Sequence, residues 1–270
     1  PVRYPEGGLA ATNTLRVGDR VDPDFHAVVS YSFEEWRLQP VDEITFRAAN
    51  PRPAAPPRVP GSNLRVAAFN VLNFFNGDGQ GGGFPTARGA DNAEELARQK
   101  AKLVAALTAL DADIIGLMEI ENDGYGPDSA IAELAEALGP AWRFVAHGEA
   151  GLGSDAIAVG LLYRDDVVAE AGEAATLDTG AFGNETNRQP LAQSFRLLNN
   201  DQVLTLVVNH FKSKGSCPDD GVNAAQDDGQ SCWNAERTQA AEDQLAWLAG
   251  QPTGVADEDV LVLGDLNAYA

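Results

Sequence analysis

Side chains that could bind a metal ion and a phosphate ester stand directly after apolar, strand-like runs of this chain. Five such runs end in an amide, a carboxylate, a phenol, an imidazole and a second carboxylate: Asn70, Glu119, Tyr163, His210 and Asp265. Carboxylate and amide oxygens suit Mg²⁺, which leaves several coordination positions for water and phosphate. An imidazole can exchange a proton with an ester oxygen. If the strands bring these groups together, the sequence predicts a cation-assisted site for a phosphate ester.

Each of these residues also has a simpler explanation when it is taken alone. Glu119 could be satisfied by a salt bridge or a helix cap, because a buried carboxylate needs a partner of some kind. His210 could be a hydrogen-bonded core histidine. However, Lys212 and Lys214, two of only four lysines, follow it at once and would attract a phosphate. Arg188 could hold a phosphate through two nitrogens or lie in a surface turn.

Strands and helices must alternate along the chain to position these groups. Helical spacing of apolar residues predicts helices over Ala93–Leu110, residues 129–138 and Asn234–Leu248. Apolar runs predict strands over residues 64–69, 114–118, 157–162, 191–197, 203–208 and 259–263. Interleaved strands and helices are typical of layered α/β folds rather than of all-β sandwiches.

Composition divides the chain of 270 residues into three parts. Residues 1–49 have the pattern of the end of a small β-rich module, with a short strand expected over 27–36. Residues 50–61 contain five prolines, a density that favours an extended, semi-rigid linker. Residues 62–270 carry all the candidate site residues. Because the chain begins at Pro1, we expect any targeting segment to lie upstream of it.

The formal net charge of −21 argues against a non-specific polyanion binder that works by overall charge alone. Two explanations remain for this acidity, a solvated surface and a local basic or cation-filled cleft. We expect both to hold, with an acidic shell around a cation site.

The cysteines, Cys217 and Cys232, lie in a polar loop. A disulfide between them would stabilise the fold by roughly 3 kcal/mol and would imply an oxidising compartment. Two free thiols are the alternative, and a zinc site is disfavoured because no histidine lies at ligand spacing. We favour the disulfide because neither cysteine lies in a core run.

Seven strings, in this order, resemble the endonuclease/exonuclease/phosphatase superfamily, of which deoxyribonuclease I is the type member. They are LRVAAFNVLNFF (64–75), DIIGLMEIEN (113–122), VGLLYR (159–164), RQPL (188–191), VNHFKSKGSC (208–217), CWNAER (232–237) and GDLNAY (264–269). They are most similar to the bacterial extracellular nuclease branch. The resemblance implies a four-layer α/β/β/α sandwich with the site at one edge of two packed sheets.

The resemblance also implies roles for the candidate residues. Asn70 and Glu119 would hold Mg²⁺, with Ca²⁺ and Mn²⁺ as alternatives. His210 would protonate the leaving oxygen or stabilise the transition state, Asp265 would orient the attacking water, and Asn267 would lie beside the scissile phosphate. The implied phosphate contacts are Tyr163, Arg188, Asn267 and Lys212. The partner would be a nucleic acid substrate, DNA or also RNA, without an obligate partner protein.

One departure separates the chain from this family. The family ends with a Ser-Asp-His segment well beyond its Asp-x-Asn motif, and the chain stops at Ala270. We therefore expect a fragment with little activity of its own, from a secreted or cell-surface bacterial enzyme. Two alternatives remain open: a phosphatase or phospholipid phosphodiesterase of the same fold, and a non-catalytic secreted binding module.

Overall fold

The computed structural model describes residues 7–8, 13–22, 24–51, 53, 55–148, 150–184 and 186–268. Tyr269, the last residue of the GDLNAY string, lies outside the described residues. The chain divides into two compact units, Pro1–Pro56 and Pro57–Ala270. Among the described residues, no helix has the length and apolarity needed to span a bilayer.

The described residues of the first unit form four short strands. They are β1 (Arg20–Val21), β2 (Ala27–Ser32), β3 (Glu35–Pro40) and β4 (Phe46–Arg47). Strand β1 pairs with β4, and β2 pairs with β3 as an antiparallel hairpin. The single strand expected over 27–36 is therefore wrong. The chain reverses at Phe33 and Glu34, whose φ angles of 54° and 64° match the backbone twist of a two-residue hairpin turn.

In its described residues, the second unit contains two four-stranded sheets, three α-helices and one short 3₁₀ helix, Gly180–Phe182. The first sheet has the order β5-β6-β8-β7 and the second has the order β12-β11-β10-β9. The strands of the first sheet are β5 (Val66–Phe74), β6 (Ile114–Glu121), β7 (Trp142–Phe144) and β8 (Ile157–Arg164). Those of the second are β9 (Val168–Thr176), β10 (Leu191–Leu197), β11 (Val203–His210) and β12 (Val260–Asp265).

The helices are α1 (Ala93–Leu110), α2 (Ala130–Leu138) and α3 (Asn234–Leu248). Side-chain caps fix where the first two begin. The Asn92 side chain accepts a hydrogen bond from the Glu95 backbone N–H, and the Ser129 hydroxyl accepts one from Ala132. Each cap satisfies a backbone donor that the first helical turn leaves without a partner. All three predicted helices are confirmed, with Ser129 as a cap rather than a helical residue.

The two sheets pack face to face around an apolar core. Gly116 on β6 makes this close approach possible, because a Cβ there would lie 2.2 Å from Leu263 Cδ1 and 2.9 Å from a methyl of Val208. On the opposite face of the first sheet, a Cβ on Gly160 would meet Ile131 of α2. Helix α3 packs beside the second sheet, where its Gln244 side chain bonds Asn209. The expected mixed α/β class is confirmed.

Strand direction decides which residues share an end of the packed sheets. Strand β5 is parallel to β6, and β11 is parallel to β12, whereas β8 is antiparallel to β6. Gly116 lies three residues before Glu119 and opposite Leu263 and Val208, each of which lies two residues before the last residue of its strand. The carboxyl ends of β5, β6, β11 and β12 therefore meet at one end, which we call the site end. Strand β8 begins at the site end and finishes at the opposite end.

Candidate active site

A β-bulge presents Glu119 at the site end. The pairing of β6 with β8 shifts between Met118 and Ile120, and Glu119 has a φ of 65°. A non-glycine residue in the left-handed region costs about 1–3 kcal/mol and persists only where its surroundings enforce it. The enforcing contacts come from the end of β5. Asn70 Nδ2 donates to Glu119 Oε1 (2.9 Å), and the Asn73 backbone N–H donates to Oε2 (3.1 Å).

His210 and Asp265 are neighbours because parallel β11 and β12 place them in register. Glycine is required just before Asp265: Gly264 has a φ of 131°, and a Cβ there would lie 2.1 Å from the Asn209 carbonyl oxygen. Beyond the strand, the Asn267 backbone N–H donates to Asp265 Oδ1 (3.1 Å). Asn267 Nδ2 donates to the Phe211 carbonyl (3.0 Å), which keeps the amide beside the two strand ends.

The surroundings of His210 show which charged groups converge on it. The residue is only 4% exposed, and its Nδ1 has no hydrogen-bond partner among the described residues. Burial, followed by the positive charge of Arg188, lowers the pKa of the imidazole below its usual value. The carboxylates of Asp265, Glu119 and Asp155 act in the opposite direction. Three carboxylates and one guanidinium therefore lie close enough to bias this histidine.

Two of the predicted phosphate ligands lie beside this group. The Arg188 backbone N–H donates to the His210 carbonyl (3.3 Å), and the Lys212 backbone N–H donates to Asn187 Oδ1 (2.8 Å). The Lys212 ammonium lies 4.9 Å from the centre of the Trp233 ring. Burial and the nearby Arg188 lower the pKa of Lys212. The structure thus brings Asn70, Glu119, Arg188, His210, Lys212, Asp265 and Asn267 together.

Tyr163 does not belong to this group, and its expected phosphate contact is corrected. It pairs with Ile114 at the start of β6, five residues and therefore about 17 Å along the strand from Glu119. Its ring contacts Phe195 at 5.3 Å between centroids. Burial and the Glu170 carboxylate raise the pKa of its phenol above the usual range. The reason is strand direction: β8 finishes at the opposite end.

Strand β8 instead brings Asp155 to the site end, two residues before its first residue, Ile157. Asp155 Oδ2 lies 3.0 Å from Arg188 Nη2, and Oδ1 lies 2.9 Å from Nη2 of Arg88. Sequence reasoning missed both Asp155 and Arg88. The available signal for Asp155 was its place immediately before an apolar run, which becomes informative once β8 is known to be antiparallel. Arg88 lies in a loop without a distinguishing pattern.

The expected disulfide joins Cys217 to Cys232, with the two Cα atoms 5.5 Å apart. Trp233 directly follows the loop that the disulfide closes, and its indole N–H donates to the carbonyl of Gly215, which lies two residues before the loop (3.0 Å). Lys212 Nζ donates to the same carbonyl (3.2 Å). The residues that flank the loop therefore fix the surroundings of the Lys212 side chain.

The donor chemistry at the end of β6 fits a hard divalent cation. Each carboxylate oxygen of Glu119 accepts one hydrogen bond from the protein, which leaves lone pairs for a metal ion. The Asn70 amide oxygen accepts a bond only from the nearby Leu72 backbone N–H (2.9 Å) in the described contacts. Within the part of the chain that the structure describes, no three His, Cys, Asp or Glu side chains form a ready-made metal cluster. The donors present fit a hard divalent cation that takes one or two protein ligands and completes its shell with water and phosphate.

Two packed sheets, with an acid, an imidazole and oxygen donors gathered at one end, define a mixed α/β protein with a phosphoesterase-like site. The chain belongs to the Endonuclease/Exonuclease/phosphatase family, whose model matches residues 67–270. That range contains every residue of the group described above. No curated protein sequence matches the chain significantly.

Several solved structures are similar to the chain. The human Nocturnin catalytic domain with bound sulfate is 17% identical, with 76% of this chain and 64% of that chain covered and a TM-score of 0.49. D. rerio TDP2 complexed with single-strand DNA product is 20% identical, with 77% and 62% covered and a TM-score of 0.43. The mannosyl-6-phosphatase of Bacteroides thetaiotaomicron is 14% identical, with 76% and 65% covered and a TM-score of 0.46. The chain spans less than two thirds of each of these three.

Proposed function

We propose that the protein is a divalent-cation-dependent phosphodiesterase that hydrolyses nucleic acid, with DNA as its first substrate and RNA as a second. The observation that carries this proposal is the convergence of Glu119, His210 and Asp265 from three separate strands. A cation ligand, a proton donor and a proton acceptor are the three groups that hydrolysis of a phosphate ester needs.

Glu119 and Asn70 would hold the cation, which we propose to be Mg²⁺, with Ca²⁺ and Mn²⁺ as alternatives. When bound, the cation would neutralise negative charge that develops on the phosphoryl oxygens. The protein supplies the rest of the site. The backbone N–H of Asn73 and the amide of Asn70 hold the Glu119 carboxylate in one orientation before any substrate arrives.

The remaining residues act on the substrate and on water. Arg188 and Lys212 would hold the phosphate, and Asn267 would lie beside it. Asp265 would accept a proton from the attacking water as the water oxygen bonds to phosphorus. The bond from phosphorus to the leaving oxygen breaks, and His210 donates a proton to that oxygen. A bound phosphate would raise the pKa of His210, because an adjacent negative charge favours the protonated imidazole.

One feature supports an extracellular place of action. The Cys217–Cys232 disulfide is of a kind that persists in oxidising compartments and is rare in the cytosol. The strongly acidic composition is compatible with a polyanionic substrate only where positive charge is concentrated locally. Arg88, Arg188 and Lys212 provide that concentration at the site end.

The test is hydrolysis of several phosphate esters by the same preparation. Supercoiled plasmid DNA, an RNA, a sphingomyelin vesicle and a sugar 6-phosphate are each incubated with Mg²⁺ or with EDTA. The chain of residues 1–270 is tested first. The same chain, extended by any sequence that its gene encodes beyond residue 270, is tested next. We expect cleavage of DNA with Mg²⁺ in at least one of the two chain lengths, and none with EDTA in either. The Glu119→Gln variant should lose that cleavage because its side chain no longer carries the charge that holds the cation.

Lipid or sugar-phosphate turnover without DNA cleavage would replace the nuclease by a phosphatase or phospholipase of the same fold. Binding of DNA without turnover of any ester, in both chain lengths, would indicate a non-catalytic module. Cleavage that EDTA does not stop would contradict the proposed cation dependence.

A further inference from the structure

A second arginine lies at the site end beside the proposed phosphate ligand. Asp155 contacts two guanidinium groups at once: its Oδ2 lies 3.0 Å from Arg188 Nη2, and its Oδ1 lies 2.9 Å from Arg88 Nη2. The two guanidinium groups are therefore separated by the width of one carboxylate. The Arg188 side chain is 18% exposed and the Arg88 side chain is 43% exposed. One arginine faces the interior of the site, and the other lies at its rim.

The loop that delivers Arg88 is folded against the strand ends that form the site. The Thr86 hydroxyl donates to the Ala90 carbonyl (2.8 Å) and accepts from the Gly89 backbone N–H (3.0 Å). A Cβ on Gly89 would lie 2.7 Å from the Asn73 carbonyl oxygen, so the loop touches the residue whose N–H holds Glu119. Arg88 is thus fixed in position relative to the proposed cation ligand.

The three charged groups carry a net charge of plus one in a chain whose formal net charge is −21. A guanidinium has five N–H donors in a fork that matches phosphate geometry. Asp155 lies within ion-pair distance of one nitrogen of each arginine, and the remaining donors can face an anion. Asp155 would also keep the two guanidinium groups from repelling each other while no substrate is bound.

We propose that Arg88 binds the phosphate next to the one that reacts, with Asp155 as the residue that positions both arginines. This proposal rests on the proposed function, and it deepens it. Substrates with consecutive phosphates, as in a polynucleotide, would contact Arg188 and Arg88 together. A single small phosphodiester would contact Arg188 alone. Arg88 therefore selects a polynucleotide over a small ester.

The test compares Arg88→Gln with Arg143→Gln, a matched control at the opposite end. Arg143 also pairs with one aspartate, Asp165, and its side chain is 50% exposed. Both variants remove one positive charge from a half-exposed ion pair. Binding of a fluorescent single-stranded oligonucleotide is measured by anisotropy in EDTA over a range of salt concentrations. Hydrolysis of that oligonucleotide and of bis(p-nitrophenyl) phosphate is then measured with Mg²⁺.

We expect Arg88→Gln to weaken oligonucleotide binding several-fold. The slope of log affinity against log salt should decrease by about 0.7, because one contact to a phosphate of the single strand is lost. The KM of this variant should rise more for the oligonucleotide than for the small ester. Arg143→Gln should bind with the slope of the unmodified protein. Arg88→Lys, which keeps the charge, should recover most of the slope, and thermal melting of each variant reports its folding.

If the salt slope of Arg88→Gln is unchanged, the variant has lost no phosphate contact. That result would overturn the proposal, whatever happens to the affinity. Equal losses on both substrates would overturn the selectivity. Suppose that the unmodified protein hydrolyses the small ester, and that Arg88→Gln binds and hydrolyses the oligonucleotide as well as the unmodified protein does. In that case only the inference about Arg88 fails. If the unmodified protein neither binds nor hydrolyses either substrate, the proposed function fails as well.

Discussion

The two ends of the packed sheets share strands and core but treat their polar groups differently. At the opposite end, charges meet in ordinary ion pairs near solvent: Arg164 with Asp166 (2.8 Å) and Arg143 with Asp165 (2.6 Å). At the site end, Glu119 and Asn267 take left-handed backbone conformations. Buried nitrogens of His210 and Arg188 also have no hydrogen-bond partner among the described residues.

This difference indicates which end the sequence maintains for chemistry. Left-handed backbone conformations and buried polar atoms without hydrogen bonds both cost free energy. A region that has no function would not be expected to contain several of these costly features. Left-handed residues also occur at the opposite end, at Asp111 (φ 51°) and Asp201 (φ 58°), but there they lie at a helix end and in a strand connection, whereas Glu119 lies within a strand. The contrast therefore supports the proposed site without relying on any resemblance between sequences, and experiments on matched residues at the two ends can test it.

The largest expected effect comes from comparing His210→Gln with Tyr163→Phe. Loss of a proton donor at the site end should lower kcat/KM for the best phosphodiester by about 10²- to 10⁴-fold. Removal of the Tyr163 hydroxyl should leave it close to that of the unmodified protein, because Tyr163 lies at the opposite end. The measurement is initial-rate kinetics on one substrate for both variants.

Circular dichroism of both variants serves as the control for folding. A loss of activity in Tyr163→Phe comparable with that in His210→Gln would contradict the division into two ends. It would restore Tyr163 to the role that the sequence alone had given it.

Tyr163 also shows what the sequence could not predict. The apolar run over 157–162 correctly located β8, but nothing in a single run states whether the strand is parallel or antiparallel to its neighbour. Direction depends on how the chain returns to the sheet. A reversed β8 exchanges Tyr163 for Asp155 at the site end, so one undetermined direction changed two site residues.

Local signals did predict the elements themselves, since helical spacing of apolar residues located α1, α2 and α3. The side chains of Asn92 and Ser129 then fix where the first two begin, because they satisfy free backbone N–H groups. The bulge at Glu119 was not readable, since it arises from contacts with Asn70 and Asn73 that lie 49 and 46 residues away along the chain. The hairpin turn at Phe33 was missed because neither turn residue is glycine or asparagine.

The second expected effect concerns the disulfide, a covalent tie near the site end. Replacing both cysteines by serine, as Cys217→Ser/Cys232→Ser, should lower the free energy of unfolding by about 3 kcal/mol, because it frees a loop of 15 residues in the unfolded chain. Urea denaturation monitored by tryptophan fluorescence measures the change. The unmodified protein in excess reductant should match the double variant.

The same variant should also bind phosphate less well, since the loop fixes Trp233 and Gly215 around Lys212. A denaturation midpoint equal to that of the unmodified protein in oxidising buffer would show that the loop is already ordered by its other contacts. The disulfide would then add nothing to the rigidity of the site end.

A smaller effect is expected in the pH dependence of stability. The pKa of His210 is lowered in the folded state, chiefly by burial. The ordinary pKa of a histidine is about 6.5. Below that pH, the unfolded chain therefore binds more protons than the folded chain. The free energy of unfolding should therefore fall as the pH falls through this range, by at most about 1.4 kcal/mol per pH unit from this residue. The His210→Gln variant should lose that part of the slope between pH 5 and 7. Measurements in EDTA keep cation binding out of the comparison, and identical slopes in the two proteins would show that His210 is not held neutral.

The smallest effect is expected at the opposite end, from Asp166→Asn. Arg164 and Asp166 form a partly exposed pair in which the guanidinium Nε and Nη2 donate to the two carboxylate oxygens (3.1 Å and 2.8 Å). Such pairs are worth less than about 1 kcal/mol, because water and salt screen them. Urea denaturation should therefore show a small loss of stability in low salt and almost none in 1 M NaCl, where the screening length is about 3 Å.

The site-end counterpart, Asp155→Asn, should lose more stability and keep that loss in high salt, since it leaves the largely buried Arg188 guanidinium without its carboxylate. Equal losses with equal salt dependence would mean that the two ends hold their charges in the same way, and the contrast between them would then rest on backbone strain alone.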